Sequence, residues 1–417
     1  MTRAVLGLAA GLLVACSDPA TTASDGPLEA SPVVELGPAP DADLSPAPDV
    51  VVPVDQGLDA STRPAPVWFL HITDLHLGAS SYADEALKTA IDYVVPVVNP
   101  TATLVTGDVT DDGSAGQWSA YLAAIQGKVA AYPLHLEIVG NHDKKGDGKG
   151  FFTGTQTGLA GGGMYGLSYV DAAQGRIEIV RTDTVDSTKA LEQLLGYVSE
   201  DQVKDLEALP PSTVPVWRSI VLGHHPIDGV QGLKVLGTDK RLEQLLTHFA
   251  AEVYLCGHAH VSNLSWNKTT LVVQGPTLGK PEIAAPNPGF ALVALDEEGP
   301  AARIFGLTKS SPAAVGWPLV LITAPADAGL GGTNPRAKPV TPGQATLTVR
   351  ALGFSPGGIV AAEARVDGGG WLALNGADKP LWQGSVAVPA PGKHTLDVRV
   401  LAPEGAGTHT VSFSVEP

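Results

Sequence analysis

The chain has 417 residues and a formal net charge of −17 at pH 7, and 44% of its residues are hydrophobic. This length predicts two folded domains with additional segments, because one small core cannot accommodate so long a chain. The acidic balance argues against a broad basic face that binds nucleic-acid phosphates, so no nucleic-acid partner is expected.

Residues 1–16 have the pattern of an export signal, in which Arg3 precedes the apolar run AVLGLAAGLLVA and the run ends at Cys16. The run is too short to cross a bilayer as a stable helix. The residues LVAC resemble the lipobox of bacterial lipoproteins, whose cysteine is lipidated and becomes the mature N-terminus. This resemblance predicts an exported lipoprotein of the bacterial cell envelope, with a lipid anchor at Cys16 as its membrane partner. The outer membrane is preferred because Ser17 stands where inner-membrane retention uses Asp; an ordinary signal peptide with an incidental cysteine is the alternative.

Residues 17–66 contain ten prolines and nine acidic residues, with neither Trp nor Phe. Such a stretch cannot bury enough apolar area to offset the loss of chain entropy. We therefore expect a disordered linker that holds the folded part away from the membrane.

Strand and helix patterns alternate from Val67 to about residue 310, which indicates an α/β domain. Helices are predicted over 83–95, 114–126, 199–208 and 238–250, and further strands over 176–181, 269–274 and 290–295. Nine of the 21 residues from 146 to 166 are glycine, which predicts a mobile loop.

Beyond Gly316 the helical patterns end, and six or seven short alternating runs are separated by Gly, Pro and Asn. These runs predict a β-sandwich of immunoglobulin or fibronectin type. Trp371 and Trp382 in these runs suggest either recognition at an exposed surface or packing in the core, and core packing is favoured.

Five short apolar runs end in clusters of Asp, His or Asn, usually through a glycine. Buried strands that each release polar residues at their carboxyl ends build one convergent site at one edge of a sheet. Carboxylate, amide oxygen and imidazole together are the ligand types of a two-metal hydrolase. The clusters contain Asp74, His76, Asp108, Asn141, His142, Asp143, His224, His225, His258 and His260.

The motifs DLH, GDVTD, GNHD, GHHP and GHAH resemble, in the same order, the five signature blocks of the calcineurin-like metallophosphoesterases. The resemblance implies a four-layer αββα metallophosphoesterase sandwich over 67–312, followed by an all-β immunoglobulin-like sandwich over 313–417. The order of a phosphoesterase domain, the segment WPLVLITAP and a sandwich is similar to the transmembrane protein 62 group. Members of that group carry membrane helices after the sandwich, and lipidation at Cys16 would replace them here.

The family resemblance also implies two divalent metal ions, with manganese, iron and zinc all compatible. A hydroxide that bridges the two metals would attack a phosphomonoester or a phosphodiester. The first metal would be held by Asp74, His76, Asp108 and His260, and the second by Asp108, Asn141, His224 and His258. Purple acid phosphatases carry a Tyr three residues after the bridging Asp; Asp111 stands there in this chain, so that branch's iron selectivity is not expected.

Further residues near the implied ligands have expected roles other than metal binding. The resemblance assigns proton donation to the leaving oxygen, or transition-state stabilisation, to His142. Asp143 is expected to orient an imidazole, and Asp111 either supports a ligand or caps a helix. His71 is predicted to be a core residue, and His225 a neighbour of the site rather than a ligand.

Three lysines follow His142 in the glycine-rich region. Lys144, Lys145 and Lys149 could contact a substrate phosphate as point charges, and a solvated loop is the favoured alternative. For the whole chain, an envelope scaffold that binds a partner through the β-sandwich is the alternative to an enzyme.

Overall fold

The computed structural model describes residues 51–53, 64–126, 128, 135–145, 164–227, 238–341, 343–378 and 380–417. The predicted signal peptide with Cys16, most of the predicted linker, and Lys149 with most of the glycine-rich loop lie outside these residues. No helix in the described part of the chain combines the length and the apolar character that crossing a membrane requires.

Helices form close to the predicted positions. Ser199 caps the fifth helix by accepting a hydrogen bond from Gln202 N, and two acidic residues occupy its first turn. A π-helical turn at Ala90–Val94 precedes Pro96, which lacks the N–H that a regular helix would use there. The fourth helix was not predicted. The helices are α1 Ser81–Thr89, α2 Val95–Val98, α3 Ala115–Ile125, α4 Ala190–Leu195, α5 Glu200–Glu207 and α6 Thr238–His248.

Two mixed sheets form the α/β part of the chain. The seven-stranded sheet has the order β1-β5-β6-β7-β8-β10-β9, and its strands are β1 Val51–Pro53, β5 Gly166–Ala172, β6 Gly175–Arg181, β7 Val216–Leu222, β8 Val253–Cys256, β9 Asn263–Asn267 and β10 Thr270–Gln274. The five-stranded sheet has the order β12-β11-β2-β3-β4, and its strands are β2 Val67–Ile72, β3 Ala102–Thr106, β4 His135–Ile138, β11 Gly289–Asp296 and β12 Gly299–Gly306. Strand β1 lies inside the predicted linker and pairs in parallel with β5.

Alternation along the strands produces four layers. Phe69 and Leu104 of one sheet pack against Ile220 and Leu255 of the other. The opposite face of the seven-stranded sheet packs against α5 and α6, and the opposite face of the five-stranded sheet packs against α1 and α3. This arrangement is a mixed α/β fold, with the parallel strands β2, β3 and β4 side by side and β6, β7 and β8 likewise.

The C-terminal region is a single antiparallel sheet of order β13-β14-β17-β16-β15-β18-β19. It curls until its first and last strands meet, where Ile322 N donates a hydrogen bond to His409 Nδ1 at 3.0 Å. The strands β13-β14-β17-β16 and β15-β18-β19 surround one core and are joined by three residue pairs between β15 and β16. This pairing order is the one that an immunoglobulin-type sandwich has, and the sandwich itself stays a prediction. Alternation predicted the strands but not how the sheet closes, because closure depends on register and curvature. The strands are β13 Leu319–Ala324, β14 Thr346–Phe354, β15 Ala361–Val366, β16 Leu372–Asp378, β17 Leu381–Ala387, β18 Gly392–Ala402 and β19 Gly405–Val415.

Strand β13 belongs to two cores at once. Leu319 and Leu321 face the helical side of the five-stranded sheet, where they join the cluster around Trp68, while Val320 and Ile322 face the interior of the C-terminal sheet. The period-two alternation of a strand buried on both faces explains this division. The C-terminal sheet therefore packs on the α/β part. Trp382 is buried in the C-terminal core, and the half-buried ring of Trp371 lies beneath two guanidinium groups.

Candidate metal centre

The predicted ligands converge because the five strands that precede them end at the same edge of the two sheets. Five of these residues have left-handed backbones: Asp74, His76, Asp108, His258 and His260, with φ between 45° and 68°. Non-glycine residues seldom adopt this conformation, and its concentration at one place is typical of a functional site. Hydrogen bonds between loops hold the strained backbone, among them His76 N to Asp108 O at 2.9 Å.

The glycines that end the strands are required by close approach. A Cβ on Gly140 would lie 2.2 Å from Asp108 Oδ1, and a Cβ on Gly257 would lie 2.2 Å from Asp74 Oδ2. Any side chain at these two positions would displace a carboxylate of the site. The pattern of strand, glycine and polar residue therefore has a steric cause.

A first group of donor atoms consists of Asp74, His76, Asp108 and His260, whose ligand atoms lie within 4.8 Å of one another. His260 Nε2 lies 3.2 Å from Asp74 Oδ1. His76 Nε2 faces His260 Nε2 at 3.1 Å. Two imidazole nitrogens that face each other beside carboxylates are a donor set suited to a divalent metal ion.

A second group consists of Asp108, His224 and His258, again within 4.8 Å of one another. Asn141 joins this group, since its Oδ1 lies 3.1 Å from His224 Nε2 and 2.9 Å from His258 Nδ1. The two groups together contain all seven residues that the sequence predicted as metal ligands, and no predicted ligand lies elsewhere.

Asp108 belongs to both groups. Its Oδ2 lies 3.7 Å from His76 Nε2, and its Oδ1 lies 3.4 Å from His224 Nε2. Oδ1 also accepts a hydrogen bond from His142 N at 2.8 Å. The two oxygens of one carboxylate therefore point toward separate sets of imidazoles.

Charge at the site is set by burial and by close neighbours. Burial lowers the pKa of His76 to about 4 and that of His258 to about 3, so both imidazoles are neutral, the form that binds metals. Although burial alone would raise the pKa of Asp74, the adjacent His260 lowers it to about 2. Burial also opposes charge on His224, but Asp108 beside it raises its pKa to about 9.

Hydrogen bonds on the far side of two imidazoles fix their orientation. His224 Nδ1 donates to Thr106 O at 2.8 Å, which leaves Nε2 free to face the site. His76 Nδ1 lies 3.0 Å from Asp111 Oδ1, with the same consequence for its Nε2. A carboxylate or carbonyl behind a metal-binding imidazole is the usual way to fix its tautomer.

His142 lies beside the first group and forms a further cluster of possible ligand atoms with His76 and Asp111, all within 4.8 Å of one another. Its ring meets the ring of His76 edge to face, with centroids 4.6 Å apart. Nδ1 lies 2.6 Å from Asp111 O, and because a carbonyl can only accept, Nδ1 carries a proton. The His142 side chain is 13% exposed to solvent, so a bound molecule can reach it.

Two predicted neighbours have contacts different from those expected. Asp143 accepts hydrogen bonds from Thr110 N and Thr110 Oγ1, both at 2.8 Å, and from Gly140 N at 2.9 Å, so it joins two loops, and no described imidazole is hydrogen-bonded to it. Lys144 is buried and donates to Asp183 Oδ2 at 2.7 Å, so it does not point toward a substrate. Both differences arise from contacts between distant loops.

The two remaining histidines lie where they were predicted. His71 is fully buried with Nε2 2.8 Å from Thr106 Oγ1, and burial lowers its pKa to about 3. His225 contacts Thr184 Oγ1 through Nδ1 at 2.9 Å and lies behind the ring of His258. Neither belongs to a donor group.

The sequence analysis missed the loop that follows β10. Lys280 Nζ lies 2.8 Å from Asp111 Oδ1, and Thr277 Oγ1 donates to Asp74 O at 2.8 Å. This loop thereby supports Asp74 of the first group directly, and His76 through Asp111. The run QGPTLGK has the same strand-then-glycine pattern as the five recognised runs, but it contains no Asp, His or Asn.

Comparison with known proteins identifies the part of the chain that carries this site. Residues 67–262 match the family model described as calcineurin-like phosphoesterase. The chain contains a calcineurin-like metallophosphoesterase domain. The two donor groups lie within the matched residues of this domain, whose family binds divalent metal ions.

Individual relatives of the metallophosphoesterase domain are distant. An Arabidopsis thaliana protein named as a metallophosphoesterase is 22% identical over 242 residues, which cover 49% of this chain and 31% of that protein. The chain thus spans about a third of the length of this relative. Among solved structures, the purple acid phosphatase PPD1 from yellow lupin (Lupinus luteus) is 14% identical with a TM-score of 0.39, covering 61% of this chain and 53% of its own. GAP50, named as the anchor in the inner membrane complex of Plasmodium, is 13% identical with a TM-score of 0.42, and the match covers 60% of this chain and 87% of GAP50.

Proposed function

We propose that this protein is a phosphoric ester hydrolase that uses two divalent metal ions to cleave a phosphomonoester or a phosphodiester. The position of Asp108 carries this proposal. One carboxylate that offers its two oxygens to separate sets of imidazoles is suited to holding two cations side by side. The first donor group and the second donor group, with Asn141, would each hold one ion.

Divalent ions bound there would lower the pKa of a water molecule and offset the charge that develops on phosphoryl oxygens. The chain's own residues would supply orientation. Thr106 and Asp111 hold the two imidazoles His224 and His76 with their Nε2 atoms facing the site. Manganese, iron and zinc all suit a set of carboxylate, amide and imidazole donors.

His142 is the proton donor in this proposal. Its backbone N is hydrogen-bonded to Asp108 and its Nδ1 to Asp111 O, so the residue is held from two sides, and its Nε2 lies 3.3 Å from Lys145 Nζ. A proton on Nε2 would pass to the oxygen of the leaving group. General acid catalysis of this kind contributes about 10²–10⁴-fold to rate.

The decisive experiment is the variant Asp108→Ala in the purified, metal-reconstituted protein. We expect loss of measurable hydrolysis of a nitrophenyl phosphate ester and a fall in bound metal, with an unchanged circular dichroism spectrum. Asp112→Ala, which removes an exposed carboxylate four residues away, is the matched control and should keep the wild-type hydrolysis rate and metal content. Full activity of Asp108→Ala would refute the mechanism. A wild-type protein with only trace metal and no turnover would instead favour a scaffold.

We further propose that the chain is a bacterial envelope lipoprotein attached through Cys16, with the outer membrane preferred. The support is the sequence around Cys16 and the proline-rich, acidic stretch that follows it. In a bacterial host that processes lipoproteins, the wild-type protein should fractionate with membranes, and Cys16→Ser should release it. A membrane-bound Cys16→Ser variant would contradict the anchor.

A further inference from the structure

Two consecutive lysines near the donor groups have opposite surroundings. Lys144 is buried and neutralised by Asp183, and its ammonium also donates to Val185 O at 2.6 Å. The ammonium of Lys145 lies against the ring of His142, and it forms no other hydrogen bond among the residues that the structure describes. No carboxylate of that described part forms an ion pair with Lys145.

The contact between the Lys145 ammonium and the His142 ring is not a regular hydrogen bond. Nζ lies 2.9 Å from His142 Nδ1 and 3.3 Å from Nε2. Nδ1 already carries a proton directed at Asp111 O, so the nearer of the two contacts sets a donor against a donor. The ammonium therefore has spare donors beside the residue proposed to protonate the leaving group.

The backbone keeps Lys145 in this position. Lys145 N donates to His142 O at 3.1 Å, which closes a turn after Asn141. A Cβ on Gly113 would lie 2.2 Å from Lys145 O, so the turn also fits closely against the loop that follows β3. These two contacts hold the backbone of Lys145 next to His142.

We propose that Lys145 binds a non-bridging phosphoryl oxygen of the substrate and makes the site prefer phosphomonoesters over phosphodiesters. This inference rests on the hydrolase activity proposed above. A phosphomonoester is largely a dianion above its second pKa of about 6, whereas a diester is a monoanion. An ammonium close to the phosphoryl group therefore attracts the monoester more strongly.

The test compares Lys145→Gln and Lys145→Arg with the wild-type protein, each loaded with Mn²⁺, at pH 7.5. Kinetics with nitrophenyl phosphate and bis(nitrophenyl) phosphate give kcat/KM for a monoester and a diester. Calorimetry with inorganic phosphate measures anion binding without turnover. Lys204→Gln removes the same charge from an exposed position on α5 and serves as the control.

Lys145→Gln should lower kcat/KM for the monoester about tenfold and leave that for the diester within about threefold, because a charge-assisted hydrogen bond is lost for the dianion. The affinity for inorganic phosphate should fall in parallel. Lys145→Arg should keep most of the wild-type kcat/KM for the monoester and most of the phosphate affinity. An unchanged ratio of the two substrates, or equal losses for both, would overturn the role of Lys145. If the wild type turns over neither ester, the hydrolase activity fails, and the phosphate titrations still decide whether Lys145 binds the anion.

Discussion

Trp266 donates its indole N–H to the backbone carbonyl of Leu330 at 2.6 Å, and this bond joins the metallophosphoesterase domain to the segment between β13 and β14. The side chain of Leu330 enters the core between the two α/β sheets. Nearby, Arg336 Nη1 lies 2.6 Å from Glu252 Oε1, and Asp327 Oδ1 accepts a hydrogen bond from Ser412 N at 2.9 Å. The segment therefore connects the seven-stranded sheet with β19.

Leu330→Ala should lower the free energy of unfolding by about 2–5 kcal/mol, because it leaves a cavity in a core that the C-terminal region helps to fill. Leu372→Ala is the control, since 51% of that leucine is exposed, and it should change stability by less than about 0.5 kcal/mol. Urea denaturation followed by tryptophan fluorescence measures both. Equal stabilities of the two variants would show that Leu330 contributes nothing to the shared core.

Arg350 and Asp296 form a buried ion pair between β14 and β11, with Nη1 3.0 Å from Oδ1. Arg350→Met should cost about 3–5 kcal/mol, because it leaves a buried carboxylate without its partner. Burial already raises the pKa of Asp296, so a neutral side chain should be tolerated better once the arginine is absent. The double variant Arg350→Met, Asp296→Asn should therefore be more stable than Arg350→Met alone in thermal unfolding. A double variant that is less stable than the single one would argue against this account.

Asp111→Ala should weaken metal binding about 10–100-fold, because His76 loses the carboxylate that holds its ring. Metal titration by calorimetry should show the loss in the first donor group, with binding to the second group little changed. The exposed neighbour Asp112 provides the control Asp112→Asn, which should bind metal as the wild type does. Wild-type affinity in Asp111→Ala would mean that packing alone orients His76.

His142→Ala should reduce kcat by about 10²–10⁴-fold while the metal content stays that of the wild type, because His142 supplies no atom to the two groups that contain Asp108. Metal analysis and steady-state kinetics on the same preparation separate the two effects. His248→Ala removes an exposed histidine from α6 and should alter neither quantity. Loss of metal together with activity would reassign His142 to the binding of the ions.

The C-terminal region shows why part of the fold could not be predicted from sequence. Alternating residues in β13 and β18 predicted strands correctly, since alternation is a local property of an extended chain. The same pattern does not say which strands pair or how closely the first and last strands approach. The contact of Ile322 with His409 joins residues 87 positions apart, and only the packing of distant strands determines it.

The sequence by itself determined the ligand types, their order and the strand ends that carry them, from Asp74 to His260. A buried strand followed by glycine and a polar residue places that residue at the sheet edge whatever the rest of the chain does. Tertiary structure decided which oxygen of Asp108 faces which imidazole, that Asp143 joins two loops, and that Lys280 and Lys145 lie beside Asp111 and His142. These relationships depend on distances of a few ångströms between loops that no local pattern connects, so they exist only once the two sheets have packed.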